Sequence, residues 1–228
     1  MLIYIEGNIG TGKSTFIDKL DSYLSRFNEL DCESNVILEP VDDWLNTKDS
    51  DGVNILHKFY GDQTKWAFTF QMNSFISRVQ KIHDEPDYNK QNKLLFVERS
   101  IYTDRHCFAK LCYENGKMTK LEYDIYCKWN DWLSQQFNVK PDVYIYLRCE
   151  PTINDKRVKE RARNSEENIP IEYLKALHDK HDDWMRFEKD HGVPVYVIDA
   201  TQNFKDPEVM DKIFEGLFEF LKEFVTKK

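Results

Sequence analysis

Five short apolar runs, LIYI at 2–5, VIL at 36–38, LLFV at 94–97, VYIYL at 143–147 and VPVYVI at 193–198, are each followed by sequence long enough for a helix. None alternates strictly between apolar and polar residues, so each reads as a strand buried on both faces. Strands of that kind, separated by helical sequence, build a parallel sheet covered on both sides by helices, a three-layer α/β fold. The last helix is expected over about 207–225, where Val209, Ile213, Leu217, Phe220 and Phe224 recur at helical spacing. A chain of 228 residues, 41% hydrophobic and 14% aromatic, can bury one such core, and a single domain over 1–228 is the expectation. The polar stretches 46–54 and 84–93 read as surface loops within it.

Directly behind the first run, at 7–15, stands GNIGTGKST. The pattern Gly7-x4-Gly12-Lys13-Ser14, set between a strand and a helix, is that of a phosphate-binding loop; the plainer reading is a glycine-rich turn that only packs. In a phosphate loop, glycines let the backbone curl until successive N–H groups and the positive helix end point at phosphate oxygens. Gly7, Asn8, Gly10, Thr11, Gly12, Lys13, Ser14 and Thr15 are therefore candidate nucleotide-binding residues, with Lys13 on the β/γ-phosphates and Ser14 on Mg²⁺. A purine triphosphate is the expected ligand.

Such a loop alone does not separate switches, motors and small-molecule kinases. Ligands of these sheets lie outside the carboxyl ends of the strands, and there the second and third runs are followed by Glu39-Pro40-Val41 and Glu98-Arg99-Ser100. A hydroxyl attacking a γ-phosphoryl group needs a proton acceptor, and a phosphate-bridging metal needs an anion. Glu39 suits the first role and Glu98 the second; the competing readings are a turn carboxylate for Glu39 and a surface ion pair with Arg99 for Glu98. Arg157, Arg161 and Arg163 are dense within an acidic chain, either as a solvated helix face or as a lid, about 157–170, over the transferring phosphate.

A formal charge of -8 opposes general nucleic-acid binding. Cys32, Cys107, Cys112, Cys127 and Cys149 are odd in number and scattered, which suits reduced thiols in a cytosolic or nuclear setting, and the cytoplasm is the expectation. No apolar run nears the roughly 20 residues of a membrane span, so neither membrane nor leader is expected. His178 and His181 read as a solvated helix face beside Asp182 and Asp183, not as a metal pair.

GNIGTGKST, EPVDDW (39–44), WAFTFQMNSFISR (66–78), ERSIYTDR (98–105) and RARNSEENIPIEYL (161–174) occur together, and in this combination the chain resembles the deoxynucleoside kinase family that includes deoxycytidine and deoxyguanosine kinases. The resemblance spans nearly the whole chain. It implies a P-loop kinase fold and Mg²⁺- and ATP-dependent phosphorylation of a deoxynucleoside 5′-hydroxyl, a step of nucleotide salvage. It implies Glu39 as the base for that hydroxyl, Arg99 beside it, and Glu98 on the Mg²⁺ side. Gln71 would hydrogen-bond the nucleobase between walls of Trp44, Phe70 and Phe108. Tyr60 and Glu166 would hold the 3′-hydroxyl, with Glu167 the fallback because Ser165 interrupts the family's acidic run, and Tyr60 would crowd a ribose 2′-hydroxyl. Arg157, Arg161 and Arg163 would contact phosphate, and Asn203-Phe204 would flank the donor adenine.

Base choice turns on Arg78, Asp104 and Ser74. In the family, arginine and aspartate at the first two places mark members acting on deoxycytidine and purine deoxynucleosides; Ser74 resembles the deoxyguanosine enzymes. The resemblance therefore implies a purine deoxynucleoside, with deoxycytidine as the alternative and thymidine disfavoured. Gln71, Ser74 and Arg78 do share one helical face, while Phe68 and Phe75 read as core. Family members are commonly dimers, so a homodimer is expected; the apolar set Tyr123, Ile125, Tyr126, Trp129, Trp132 and Leu133 can serve a partner or the core. A nucleoside monophosphate kinase would need cations where Glu39 stands, and a GTP switch would need an N-K-x-D sequence that the chain lacks.

Overall fold

The computed structural model describes residues 1–86, 88, 90, 92–161 and 169–225. Strands β1 (Leu2–Glu6), β2 (Glu33–Ile37), β3 (Lys93–Glu98), β4 (Val143–Arg148) and β5 (Val195–Asp199) form one parallel sheet in the order β2-β3-β1-β4-β5. The fold is the expected α/β arrangement. Successive side chains of β1 alternate between two apolar layers: Leu2 and Tyr4 enter one core, Ile3 and Ile5 the other.

The second layer is closed by α1 (Lys13–Phe27) and α10 (Pro207–Val225), whose Phe16, Leu20, Phe214 and Leu217 meet over the sheet. Each such buried side chain contributes roughly 1.5–3 kcal/mol. The first layer is thicker. It holds α2 (Val41–Asn46), α3 (Ile55–Gly61), α4 (Gln63–His83), α5 (Ile101–Thr103), α6 (Lys110–Glu114), α7 (Lys120–Gln136), α8 (Pro151–Arg161) and α9 (Ile171–Asp190). Local signals set several starts: Asp62 accepts from the Lys65 N–H at the head of α4, and Thr119 and Glu122 form a reciprocal capping box on α7.

Both sheet edges depart from expectation. β2 runs 33–37 rather than 36–38 and its burial alternates, and β5 starts at Val195 rather than 193 with Val197 half exposed. An edge strand is covered on fewer sides than a central one, so continuous burial holds only for β1, β3 and β4. Lys93, placed in a loop by composition, begins β3, and its buried ammonium donates to Pro86 O at 2.5 Å and Glu85 at 2.9 Å. His178 and His181 are not solvated: they share the inward face of α9 with Leu174, Leu177, Trp184 and Met185. The apolar set on α7 splits, with Tyr126 in the core and Ile125, Trp129 and Trp132 at the surface.

Candidate active site

The phosphate loop leaves β1 and enters α1, braced from three sides. A β-carbon on Gly7 (φ 150°) would lie 2.7 Å from Leu147 O on β4, and one on Gly10 (φ 77°) 2.6 Å from Asn154 O on α8, so both positions admit only glycine. From α9, Leu174 O accepts from Asn8 Nδ2 at 2.8 Å. Thr11 Oγ1 donates to Asn8 O at 3.0 Å. Asn8 and Thr11 thus shape the loop from within, while Gly10, Gly12, Lys13, Ser14 and Thr15 line the cavity. Lys13 Nζ donates to Gly7 O at 3.0 Å and Asn8 O at 2.8 Å. Burial, with Arg99 nearby, lowers its ammonium to about 7 against the pull of Glu39, Glu98 and Glu6.

The cavity, about 750 Å³, opens at the carboxyl ends of β1, β2 and β3. Glu39, between β2 and α2, accepts from Arg78 Nη2 at 2.5 Å and faces Arg99 Nε at 3.3 Å. Its backbone N–H donates to Glu98 Oε2 at 3.2 Å, and the charges of the two carboxylates act on each other. Burial works to raise Glu39, but Arg78, then Arg99 and Lys13, outweigh it and hold the carboxyl at about 2. Glu98 moves the other way, raised by burial and by the charge of Glu39. Ser14 and Glu98 both face the cavity, and a divalent cation there would relieve that raised carboxyl, so the residues present fit Mg²⁺.

On the opposite wall, α4 presents Phe70, Gln71, Ser74 and Arg78, all buried. Arg78 Nε donates to Asp104 at 2.8 Å, and Ser74 Oγ donates to the same carboxylate at 3.4 Å. Asp104 and Phe108 arrive on a single π-helical turn, Asp104–Ala109, between α5 and α6. The wider π turn brings both residues to the cavity, where the Arg99 guanidinium lies 4.9 Å from the Phe108 ring. Trp44 stands edge-on to Phe70 with centroids 5.5 Å apart, its indole N–H on Ser77 Oγ at 2.9 Å, and Phe59 stacks on the same ring at 4.6 Å. Tyr60 completes this wall, and Phe75 is in the core as expected. Among the described residues, three buried polar atoms here have no partner: Gln71 Oε1, Arg78 Nη1 and Arg99 Nη1. Burying such atoms unpaired is costly, so their grouping in one cavity marks where a polar ligand belongs.

At the far end, Asn203 and Phe204 line the cavity, with Phe204 packed beside Gly12. Arg157 is there too, but its guanidinium is engaged by carbonyls: Nη1 donates to Thr11 O at 3.2 Å and Ala200 O at 2.7 Å, and Nη2 to Gln202 O at 3.2 Å. It ties the phosphate loop to the segment carrying Phe204 instead of standing clear for phosphate. Arg161 lines the cavity, whereas Arg163, Glu166 and Glu167 lie outside the described residues. Sequence reasoning missed Phe59, Ser77, Leu56 and the buried Glu6; an apolar or hydroxyl side chain carries no mark of the cavity until helices α3 and α4 pair.

Comparison with known proteins agrees with this geometry. A family model described as deoxynucleoside kinase matches residues 3–224. The chain is 35% identical to a probable deoxycytidine kinase of Fowlpox virus (strain NVSL), over 97% of this chain and 88% of the relative. It is 34% identical to a deoxycytidine kinase of Homo sapiens, over 98% and 90%, and 31% identical to a mitochondrial deoxyguanosine kinase of Xenopus laevis, over 89% and 82%. A phosphate loop facing a carboxylate and a partly aromatic cavity across one sheet, matched to this family along almost its full length, means that the chain belongs to the deoxynucleoside kinases.

Proposed function

We propose that the protein transfers the γ-phosphoryl group of ATP to the 5′-hydroxyl of a purine deoxynucleoside, in the cytoplasm and as a homodimer. The observation that carries the chemistry is the position of Glu39, between the Lys13 loop and the unpartnered atoms of Gln71 and Arg78. In this reading Gln71, Trp44, Phe70 and Phe108 hold the base, and Tyr60 holds the sugar. Arg99 steadies the 5′-oxygen; Glu39 takes its proton as that oxygen bonds to phosphorus and ADP departs. Lys13 and Arg161 supply positive charge where the transferring group becomes more anionic. Mg²⁺, held by Ser14 and Glu98, would supply charge neutralisation between the phosphates.

The purine reading draws support from Ser74, whose hydroxyl stands beside Asp104. Deoxycytidine is the second reading, favoured by the names of most of the relatives. Thymidine is disfavoured in both, because its methyl group would meet the Arg78–Asp104 ion pair and strip it of polar contacts. The cytoplasmic reading rests on five free thiols; among the described residues no helix is long and apolar enough to cross a membrane. The homodimer reading rests on Ile76, Leu121, Ile125, Trp129 and Trp132, exposed on the adjacent helices α4 and α7. Replacing Trp129 and Trp132 together by glutamate should convert a dimer into a monomer in light scattering; an unchanged mass would reject that surface.

The direct test measures ADP release with each deoxynucleoside and each monophosphate. Deoxyguanosine and deoxyadenosine should show the highest kcat/KM; a clear lead for deoxycytidine selects the second reading. Phosphorylation of monophosphates alone, or GTP binding without transfer, would end the proposal.

A further inference from the structure

Glu6, the last residue of β1, is a carboxylate with no exposed surface, and no step of the chemistry above uses it. Both of its oxygens are occupied on the turn that follows β3: Oε1 accepts from the Ser100 backbone N–H at 2.9 Å, and Oε2 from the Thr103 hydroxyl. The backbone bonding between β1 and that turn ends one residue earlier, where the Arg99 N–H donates to Ile5 O at 3.0 Å. Arg99 then takes φ 62°, a left-handed conformation that costs a residue with a β-carbon about 1 kcal/mol or more.

That conformation has a use. Consecutive residues of a strand point to opposite faces, yet Glu98 and Arg99 both line the cavity. The change of φ at Arg99 turns its side chain back toward Glu98, and it also carries the next N–H, that of Ser100, away from the strand carbonyls. Glu6 supplies the acceptor that this N–H needs. Ser100 Oγ then accepts from the Thr103 N–H at 3.2 Å, so the strand end, the reversal and the first turn of α5 all close on one carboxylate.

We propose that Glu6 is a positioning residue for phosphoryl transfer: it holds the 98–100 turn in its left-handed form and so keeps the Arg99 guanidinium against Glu39. Charge acts in the same direction as geometry, since burial raises the Glu6 carboxyl and Arg99 is the first of the groups that draw it back down. The inference rests on the kinase reading given above.

Three variants of the full chain test it: Glu6→Gln, Thr103→Val and Thr103→Ser. Glutamine keeps an acceptor for Ser100 but loses the charge, and kcat should fall roughly 10- to 30-fold while the deoxynucleoside Kd and binding stoichiometry, read by calorimetry, stay within about 3-fold of wild type. Thr103→Val should lower kcat roughly 3- to 10-fold, and Thr103→Ser, which returns the hydroxyl, should restore it. A kcat for Glu6→Gln within twofold of wild type would overturn the proposal. So would a loss of kcat matched by loss of binding sites, which assigns Glu6 to folding alone, or a serine variant as slow as the valine one. The kinase reading fails separately, if the wild-type chain releases no ADP with any deoxynucleoside.

Discussion

Replacing Glu39 by glutamine preserves the side chain's shape and removes its charge. The carboxylate accepts from Arg78 at 2.5 Å and faces Arg99 at 3.3 Å, and the charged groups packed around it are Lys13, Arg78, Arg99, Glu98 and Asp104. Glutamine therefore turns a balanced set into one with three cations against two carboxylates, and leaves Arg78 with a neutral partner. Loss of that charge-assisted bond should lower stability by about 1–3 kcal/mol, seen as a lower urea midpoint at unchanged slope. The effect on turnover should be larger. A positioned base contributes roughly 10²–10⁴ in rate, equal to about 2.7–5.4 kcal/mol of barrier. Binding should hardly move, because in the proposed reading Gln71 and the aromatic wall hold the base, so the deoxynucleoside Kd is expected within about fivefold of wild type. Rapid-quench single turnovers with both substrates saturating measure the chemical step directly. The pH profile adds a second check: a carboxyl held at about 2 is ionised across the working range, so activity due to Glu39 is full above that value and lost only as pH falls through it. A rate within tenfold of wild type refutes the proton-acceptor role. An acid limb at pH 5 to 6 that glutamine abolishes refutes the low carboxyl.

Three further outcomes are expected. Lys13, lowered to about 7, is mostly neutral at pH 8, and donor phosphates should restore its charge; calorimetry in buffers of different ionisation heat should show uptake of about 0.9 proton per ATP at pH 8, little at pH 6, and none for Lys13→Met. Arg157→Met cuts the tie between Thr11, Ala200 and Gln202 and should raise the KM for ATP roughly tenfold with the deoxynucleoside Kd unchanged; equal effects on both ligands would contradict it. Burial lowers His181 to about 3, below its unfolded value near 6.5, so its stabilisation is complete above pH 6.5 and lost as pH falls toward 3. Between pH 7 and 5 the wild type should lose about 2 kcal/mol more than His181→Phe in urea unfolding, and parallel losses would refute that assignment.

The legible parts of the fold are those where one physical demand acts alone. β1, β3 and β4 are buried on both faces, so their continuous apolar sequence locates them; β2 and β5 lie at the edges, where partial exposure admits polar residues and blurs the limits. The two acids beside His181 suggested water, yet α9 turns His178 and His181 inward, a rotation that sequence neighbours do not encode. In the site, Gly7, Lys13, Glu39 and Glu98 are readable because loop chemistry and strand ends dictate them. Asp104 and Phe108 came from resemblance, and the π turn that makes both of them reach the cavity leaves no periodic mark. The engagement of Arg157 by three carbonyls and of Glu6 by the turn after β3 depends on which strands become neighbours, a fact of topology absent from local pattern.

The contact of Gly10 with the backbone of Asn154 and the side chain of Val158 reaches beyond the glycine itself. Helix α8 has a largely polar sequence and looks free to drift, but its inner side is the mould against which the nucleotide cradle is cast. A bulkier side chain at 158 would push into that cradle, so substitutions there should be filtered by their effect on the donor long before they harm the helix.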